Sequence, residues 1–156
     1  MPGSRWYSNG GGCQLGQRVA TWQAWYDGAT AGRGAGAGAS AAVVLRHAGA
    51  AEAGHTTRRL AAATTSLEAE CEACVLACEA LVRASTRPRT AVVYGDNAQV
   101  VRHTLGTGRL REPALAARLD QALVRVYAAG WHVTWIHIHR TANGEAHALA
   151  RAATRG

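Results

Sequence analysis

Three acidic side chains stand at places in this sequence from which they could bind metal ions together. Asp27 and Asp96 each follow a run of mostly apolar residues, and Glu70 comes shortly after a pair of threonines, where a helix could begin. Divalent cations such as Mg²⁺ take oxygen ligands, and carboxylates distant in sequence can supply them when strand ends and a helix converge. The trio therefore predicts a metal-dependent hydrolytic centre.

Each acid, taken singly, has a second interpretation. Asp27 precedes Gly28, and an Asp-Gly pair is common in turns. Glu70 is one of several Glu residues in its segment and would also suit a solvated helix face. Asp96 stands where an acid often caps a following helix. Residue by residue, catalysis and local structure therefore both remain open.

The strands that would position these acids follow from apolar periodicity. Alternation over residues 21–27, which Gly28 ends, predicts a first strand. Residues 41–46 predict a second strand, and residues 52–60 predict a third that returns as a hairpin. We expect the three to be antiparallel neighbours.

Helical spacing predicts a long helix after the third strand. Thr65 or Ser66 is its expected N-cap, and the following Glu residues lie in its first turns, where the helix dipole favours negative charge. An apolar stripe follows at spacings of three and four, formed by Leu67, Cys71, Cys74, Cys78 and Leu81. The remaining predicted elements are a strand over 91–94, helices over 98–105 and 113–130, a strand over 131–138 and a helix over 144–153.

Length and composition indicate one basic domain. The chain has 156 residues, enough for a single core, and its start is Gly-rich and aperiodic. We therefore expect a flexible tail at residues 1–20 and one folded domain at residues 21–156. Its 17 basic side chains are all Arg and outnumber 10 acids, so the net charge is +7. Such a field attracts polyanions, including nucleic acid.

Compartment and redox state are indicated by what the sequence lacks. It has no run of about 18 apolar residues and no apolar signal region at its start, so we expect a cytoplasmic protein without a membrane partner. Its four Cys are too few for a secreted disulfide scaffold, and we expect reduced thiols. The Cys71, Cys74 and Cys78 series also suggests a metal or iron–sulfur site, but a fourth ligand would require Cys13 to fold over.

Four short motifs follow one another along the chain. They are Tyr26-Asp27-Gly28, Thr64-Thr65 ahead of Glu70 and Glu79-Ala80-Leu81, Gly95-Asp96-Asn97, and the segment from Asn143 to Ala150. In this order, from about Trp22 to Ala153, they resemble the signatures of type 1 ribonuclease H. Each motif alone is weak, but their order favours catalysis over three unrelated structural roles. The resemblance implies an α/β fold, the ribonuclease H-like five-stranded mixed sheet with three antiparallel strands, then two parallel ones, flanked by helices.

The resemblance also implies an activity, which is hydrolysis of the RNA strand of RNA/DNA hybrids to give 5′-phosphate products. By similarity, Asp27 contacts two divalent ions, Mg²⁺ or Mn²⁺. Glu70 serves one ion and the water that faces the 2′-hydroxyl, and Asp96 completes the other. Two ions ~4 Å apart can polarise the scissile phosphate and lower the pKa of the attacking water. The expected partner is the hybrid, bound by a monomer without an obligatory protein partner.

His147 departs from the family pattern, which usually has a fourth acid at this position. Imidazole suits Mn²⁺ better than Mg²⁺ and adds no negative charge when neutral. As a catalytic ligand, His147 would therefore shift the metal preference towards Mn²⁺. Alternatively, it is a polar face residue, and Asn143, one helical turn earlier, or Glu145 takes its place.

A basic segment precedes the last predicted helix. Relatives often have a basic residue here that assists proton transfer or product release, and His suits that role because its pKa lies near neutrality. Alternation would place His137 and His139 on one side of the strand. His139 and Arg140 are the preferred candidates, and a solvated strand face is the alternative.

Further substrate contacts are implied by the resemblance. Relatives often have a long basic insertion between the second and third helices, and here only a short loop with Arg109 and Arg111 remains. Binding should then depend on these arginines and the basic tail and should weaken with salt. The predicted substrate-binding residues are Gly28, Thr65, Ser66, Asn97, Arg140 and Asn143.

A different function class is also open, namely a module that binds hybrid or double-stranded RNA without cutting it, because His147 has damaged the site. Retention of the other three acids argues against this class. A pure binder gains nothing from clustered negative charge beside phosphates.

Overall fold

The computed structural model describes residues 22–32, 37–48, 50, 53–84 and 89–156. The expected tail at residues 1–20, which includes Cys13, lies outside this part of the chain. The predicted start of the third strand at Glu52 also lies outside it. Within the described ranges, no helix is both long enough and apolar enough to span a membrane.

Five strands form one mixed sheet. In chain order they are β1 Trp22–Thr30, β2 Ala39–His47, β3 Gly54–Leu60, β4 Thr90–Gly95 and β5 His132–His137. Across the sheet their order is β3-β2-β1-β4-β5. β1, β2 and β3 pair antiparallel, whereas β4 pairs parallel with both β1 and β5. The predicted sheet, three antiparallel strands and then two parallel ones, is confirmed.

Four α-helices and one short 3-10 helix complete the domain. They are α1 Ser66–Arg83, α2 Ala98–Leu105, α3 Pro113–Ala128 and α4 Gly144–Arg155, with the 3-10 helix at Arg140–Asn143. Every predicted helix is present, with ends that differ by two residues or fewer. Periodicity does not reveal the 3-10 helix, because four residues make little more than one turn.

The long helices lie on opposite faces of the sheet. α1 packs against β1, β2 and α3, and the main core between them includes the fully buried side chains of Tyr26 and Leu81. α4 packs on the other face against β1 and β2. There the Ser40 hydroxyl donates a hydrogen bond to the backbone carbonyl of Ala150. This layering sets α1 and α4 on either side of the end of β1.

The cysteines of α1 belong to the main core. Cys71, Cys74 and Cys78 are free thiols and are buried among apolar side chains. Burial raises the pKa of Cys71 to about 12, with Glu70 as the next cause, so this thiol stays neutral. The predicted apolar stripe is confirmed. Within the described residues, the cysteines belong to no cluster of metal-ligating side chains.

A close backbone approach fixes where α1 crosses β1. Gly28 does not end the first strand as predicted, since β1 continues to Thr30. A Cβ at Gly28 would overlap the backbone carbonyl of Ala69 and would lie 2.5 Å from the backbone nitrogen of Glu70. Glycine is needed here because two backbones touch, not because the chain turns. The contact brings Glu70 beside Asp27.

Candidate active site

The three predicted acids meet at one edge of the sheet. Asp27 lies in β1, Asp96 directly follows the parallel neighbour β4, and Glu70 lies in the second turn of α1. Their carboxylate oxygens include a set that all lie within 4.8 Å of one another. Asp27 is fully buried and Glu70 is 5% exposed. Parallel strands end at the same edge, and that topology brings the two Asp together.

Burial and mutual repulsion perturb the protonation of this cluster. Burial, followed by the neighbouring carboxylates of Asp27 and Asp96, raises the pKa of Glu70 to about 10, although Arg140 acts in the opposite direction. Burial also raises the pKa of Asp27, although Glu70 and His147 lower it. Three like charges so close together favour a retained proton or a bound cation.

Two oxygens of the cluster have no hydrogen-bond donor when the three acids are ionised. They are Oδ1 of Asp27 and Oε2 of Glu70, both buried. A buried acceptor without a partner is costly, and native structures leave few of them. Hard oxygen atoms that converge and lack donors fit a hard divalent cation such as Mg²⁺ or Mn²⁺. The carboxylate oxygens of this cluster therefore suit the metal ions that the sequence predicts.

Asn97, and not Asp96, caps the helix that follows β4. The Asn97 Oδ1 atom accepts hydrogen bonds from the backbone N–H groups of Gln99 at 3.0 Å and Val100 at 3.1 Å. The capping interpretation of Asp96 is therefore wrong, and its carboxylate is available to the cluster. The predicted substrate contact of Asn97 involves a side chain whose oxygen already serves the helix.

The N-terminus of α1 is held by a capping box. Thr65 Oγ1 accepts from the backbone N–H of Glu68 at 3.2 Å, and Glu68 Oε2 accepts from the backbone N–H of Thr65 at 2.6 Å. Thr65, one of the two predicted caps, is thus the N-cap, and its hydroxyl is used within the helix. Ser66 Oγ lies 3.4 Å from Thr30 Oγ1 in an exposed position. Both residues are exposed, and of the two hydroxyls only that of Thr65 is used in the capping box.

His147 contacts the cluster through one carboxylate. Its Nδ1 lies 2.7 Å from Oδ2 of Asp27, and its side chain is 28% exposed. It is not one of the three residues whose ligand atoms lie within 4.8 Å of one another. The imidazole therefore orients Asp27 from the α4 side. Glu145 is not in that group either, and its exposed carboxylate lies 3.9 Å from the guanidinium of Arg46.

Asn143 connects α4 to both strands of the site. The side chain is 1% exposed. Its Nδ2 donates to the backbone carbonyl of Tyr26 at 2.8 Å and to Oδ2 of Asp96 at 3.2 Å. The sequence predicts a substrate contact for Asn143, whereas its amide nitrogen holds Asp96 in place. This role depends on a contact between residues 47 positions apart, so no local pattern could reveal it.

The basic segment after β5 is divided between three environments. His137 Nε2 lies 3.1 Å from the backbone oxygen of Asp96. β5 ends at His137, and His139 instead caps the 3-10 helix by accepting the N–H of Thr141 at 3.3 Å. The prediction that both His lie on one strand side is therefore wrong. Arg140 Nε lies 4.0 Å from Oδ2 of Asp96 and is the basic group of this segment nearest to that carboxylate.

A row of aromatic side chains lies beside the acids and was not predicted from the sequence. Trp25 and Tyr94 stack with ring centroids 5.1 Å apart, and the guanidinium carbon of Arg46 lies 5.9 Å from the centroid of Trp25. A signal was present, since each aromatic residue stands two positions before a clustered Asp and so points to the same sheet face.

Sequence comparison assigns most of the chain to a known family. The model of the reverse transcriptase-like family matches residues 25–153. No curated protein matches the sequence significantly. The family match includes all three clustered acids as well as Asn143 and His147.

Solved structures share the fold. A ribonuclease H1 isolated from compost by a metagenomic approach superposes with a TM-score of 0.75 at 22% identity, covering 87% of this chain and 96% of the other. The same enzyme has been solved with an RNA/DNA hybrid, with a TM-score of 0.70 at 21% identity and coverage of 84% and 94%. The ribonuclease H1 of the halophilic archaeon Halobacterium salinarum gives 0.62 at 26% identity, covering 85% and 96%.

Proposed function

Because this chain belongs to the reverse transcriptase-like family and has the type 1 ribonuclease H fold, we propose that it is an endoribonuclease. It hydrolyses the RNA strand of RNA/DNA hybrids and leaves 5′-phosphate ends. Support comes from the shared fold of a ribonuclease H1 solved in complex with such a hybrid.

The observation that carries the proposal is the buried carboxylate cluster. Asp27, Glu70 and Asp96 place ligand atoms within 4.8 Å of one another, and the cluster includes buried oxygens without donors. Such a group costs stability unless a cation or a proton compensates it. Its retention therefore argues for catalysis rather than for passive binding of a polyanion.

Asp27, Glu70 and Asp96 would hold two divalent ions, Mg²⁺ or Mn²⁺. When bound, such ions polarise the scissile phosphate, lower the pKa of the attacking water and stabilise the leaving 3′-oxygen. Glu70 is proposed to stand nearest the 2′-hydroxyl, the group by which RNA differs from DNA at the cut strand.

Neighbouring side chains have positioning tasks in this proposal. Asn143 donates to Asp96 at 3.2 Å and His147 contacts Asp27 at 2.7 Å. Each thereby restricts the rotation of one carboxylate before any cation binds. Arg140, 63% exposed and 4.0 Å from Asp96, and the cap residue His139 are the proposed basic groups that assist product release. Ser66 and the backbone N–H groups at the start of α1 would contact a phosphate.

The direct test is cleavage of a hybrid labelled on either strand, in Mg²⁺ or in Mn²⁺. We expect cuts in the RNA strand alone, with 5′-phosphate ends, and no cleavage of single-stranded RNA or duplex DNA of the same sequence. Asp96→Asn, which keeps the size of the side chain and removes its charge, should abolish cleavage while the protein still folds and binds the hybrid.

Absence of RNA cleavage in both metals would refute the proposal. If the protein then bound the hybrid with an affinity that Asp96→Asn left unchanged or improved, it would belong to the binding class. Equal cleavage by Asp96→Asn and the unmodified protein would locate the chemistry elsewhere.

A further inference from the structure

One face of the sheet is only partly covered beside the carboxylate cluster. α4 packs mainly on β1, β2 and β3, so the adjoining surface of β4 extends past it. On this face Arg46, Trp25 and Tyr94 come from the three neighbouring strands β2, β1 and β4 and form a continuous row. A row of a cation and two stacked rings resembles the surfaces on which nucleic-acid bases stack.

A groove runs between this row and the start of α4. Its volume is about 360 Å³, within the range of small-ligand sites, and it is open to solvent. Gln23, Trp25 and Arg46 form its strand side, and Ala142, Asn143 and Glu145 form its helix side. The groove therefore combines an aromatic face, a cation and amide groups.

Asn143 provides the most specific feature of the groove. Its Nδ2 is committed to Tyr26 and Asp96, which determines the orientation of the amide. Its Oδ1 is buried and has no hydrogen-bond partner. Because the atom is closed to solvent, a ligand in the groove reaches it only by shifting the side chains around it, and an N–H donor on the ligand would then satisfy the acceptor. The exocyclic amino group of a nucleobase is such a donor.

Arg46 can bind a phosphate next to the base. Its side chain is 49% exposed, and its guanidinium lies 5.9 Å from the Trp25 centroid, near the ~6 Å limit of a cation–π contact. The ion pair with Glu145 is also long, at 3.9 Å. Since both contacts are loose, the guanidinium is free to bind a phosphate, for which its planar fork is better suited than for either present partner.

From these contacts we propose that the groove binds one unpaired nucleotide of a strand that continues beyond the hybrid. Tyr94 covers one face of the Trp25 ring, so the base displaces the loosely held Arg46 side chain and stacks on the other face. An amino group of adenine, cytosine or guanine donates to Oδ1 of Asn143, and the displaced Arg46 binds a phosphate. Trp25 lies two residues before Asp27, about 7 Å along the same strand face. The nucleotide would thus lie next to the cluster, and the proposal rests on the hybrid nuclease function proposed above.

The test compares a blunt hybrid with hybrids that have a three-nucleotide DNA extension at either end, all in EDTA so that no cleavage occurs. The extension contains 2-aminopurine, whose fluorescence is quenched on stacking. We expect one extended hybrid to bind about tenfold more tightly than the blunt one, with quenching. An adenine extension should bind better than a thymine extension of the same length.

Variants distinguish binding in the groove from general electrostatic attraction between the basic protein and the nucleic acid. Trp25→Leu should remove the advantage of the extension and the quenching, and Arg46→Gln should reduce the advantage and lower the salt dependence by about one phosphate contact. Trp22→Phe is the matched control, because Trp22 lies on the opposite face of β1 and packs against the core. It should keep the full advantage. Thermal unfolding of each variant confirms that it is folded.

Distinct results would overturn the inference. It fails if no extension improves binding to the unmodified protein, or if Trp25→Leu retains the improvement while folded. Competition by free adenosine monophosphate at equal concentration would assign the groove to a free nucleotide instead. Cleavage of the blunt hybrid in Mg²⁺ or Mn²⁺ is scored separately. Absence of cleavage refutes the nuclease function but does not change the binding result at the groove.

Discussion

Helix α1 contains acids in two contrasting environments. Glu70, in its second turn, faces two other buried carboxylates, and its pKa rises to about 10. Farther along the helix, Glu72 and Glu79 share two arginines. Arg118 Nε donates to Glu72 at 2.9 Å, and Arg58 forms ion pairs with both Glu72 and Glu79.

The difference shows which acids serve the stability of the fold. Glu72 and Glu79 are matched by cations and connect α1 to β3 and α3, so their charges are compensated locally. Glu70 faces two acids and only Arg140 acts in the opposite direction, so its carboxyl keeps a proton in the metal-free fold and can give it up when a cation binds. A buried acid whose pKa is strongly raised by burial and by like charges is typical of a functional site.

The largest expected effect comes from removing the carboxyl group of Glu70. Glu70→Gln should lower the rate of hybrid cleavage by about 10³-fold or more, equivalent to ~4 kcal/mol. The same change should raise the melting temperature of the metal-free protein at neutral pH, because folding then no longer has to protonate a buried carboxyl whose pKa is raised to about 10. Single-turnover cleavage and thermal unfolding in EDTA measure the two effects.

Glu79→Gln is the matched control on the same helix. It removes a partner of Arg58 in a partly exposed ion pair, so unfolding should become easier by about 0–1 kcal/mol. Cleavage should stay within about twofold, because Glu79 is not one of the acids that form the carboxylate cluster. If both variants lost activity equally, the contrast between the two ends of α1 would not hold.

The second prediction concerns pH. The pKa of Glu70 is about 10 in the folded protein against an ordinary value of 4.5, so the folded state holds this proton more tightly than the unfolded chain does. The contribution of Glu70 to the free energy of unfolding therefore falls as pH rises from about 5 towards 10. For one proton the slope is at most ~1.4 kcal/mol per pH unit.

Unfolding in EDTA at several pH values measures that slope. In Glu70→Gln the fall between pH 5 and 9 should be much smaller, because the titrating carboxyl is gone. Identical slopes in the two proteins would show that Glu70 does not hold a proton in the metal-free fold.

The third prediction concerns the close contact between the backbones of α1 and β1. Gly28→Ala adds a Cβ that would overlap the carbonyl of Ala69. The strain should cost about 1–3 kcal/mol of stability and should shift Glu70 away from Asp27, so cleavage falls as well. Gly54→Ala is the control, because a Cβ there meets no described atom within 4 Å. Urea unfolding that ranks the two variants equally would contradict this explanation.

The smallest effect is expected at His147. We predict faster cleavage in Mn²⁺ than in Mg²⁺, with a ratio that narrows by about three- to tenfold in His147→Asp, because a carboxylate suits Mg²⁺ better than imidazole does. Rates at saturating metal measure the ratio. Equal metal profiles in the two proteins would remove His147 from metal choice and leave it as a partner of Asp27.

Local patterns predicted the elements well and the contacts poorly. Thr65 was one of two caps that the sequence predicts, because capping is decided within four residues. The choice between Asp96 and Asn97 as the cap of α2 is not local, since Asp96 is drawn towards the cluster by Asn143 from α4. His139 illustrates the same limit, because alternation could not show that β5 ends two residues earlier.

The sequence by itself determined the order and type of the elements, because periodicity and caps are properties of neighbouring residues. The order of its motifs, through the resemblance to type 1 ribonuclease H, also implied the sheet topology and singled out the three acids. Tertiary structure alone decided how those acids are used. The raised pKa values of Asp27 and Glu70, the contact of His147 with Asp27, the hydrogen bond from Asn143 to Asp96 and the groove beside Trp25 all depend on burial and on distances between segments far apart in the chain. Such quantities do not exist until the sheet and its two helix layers have packed.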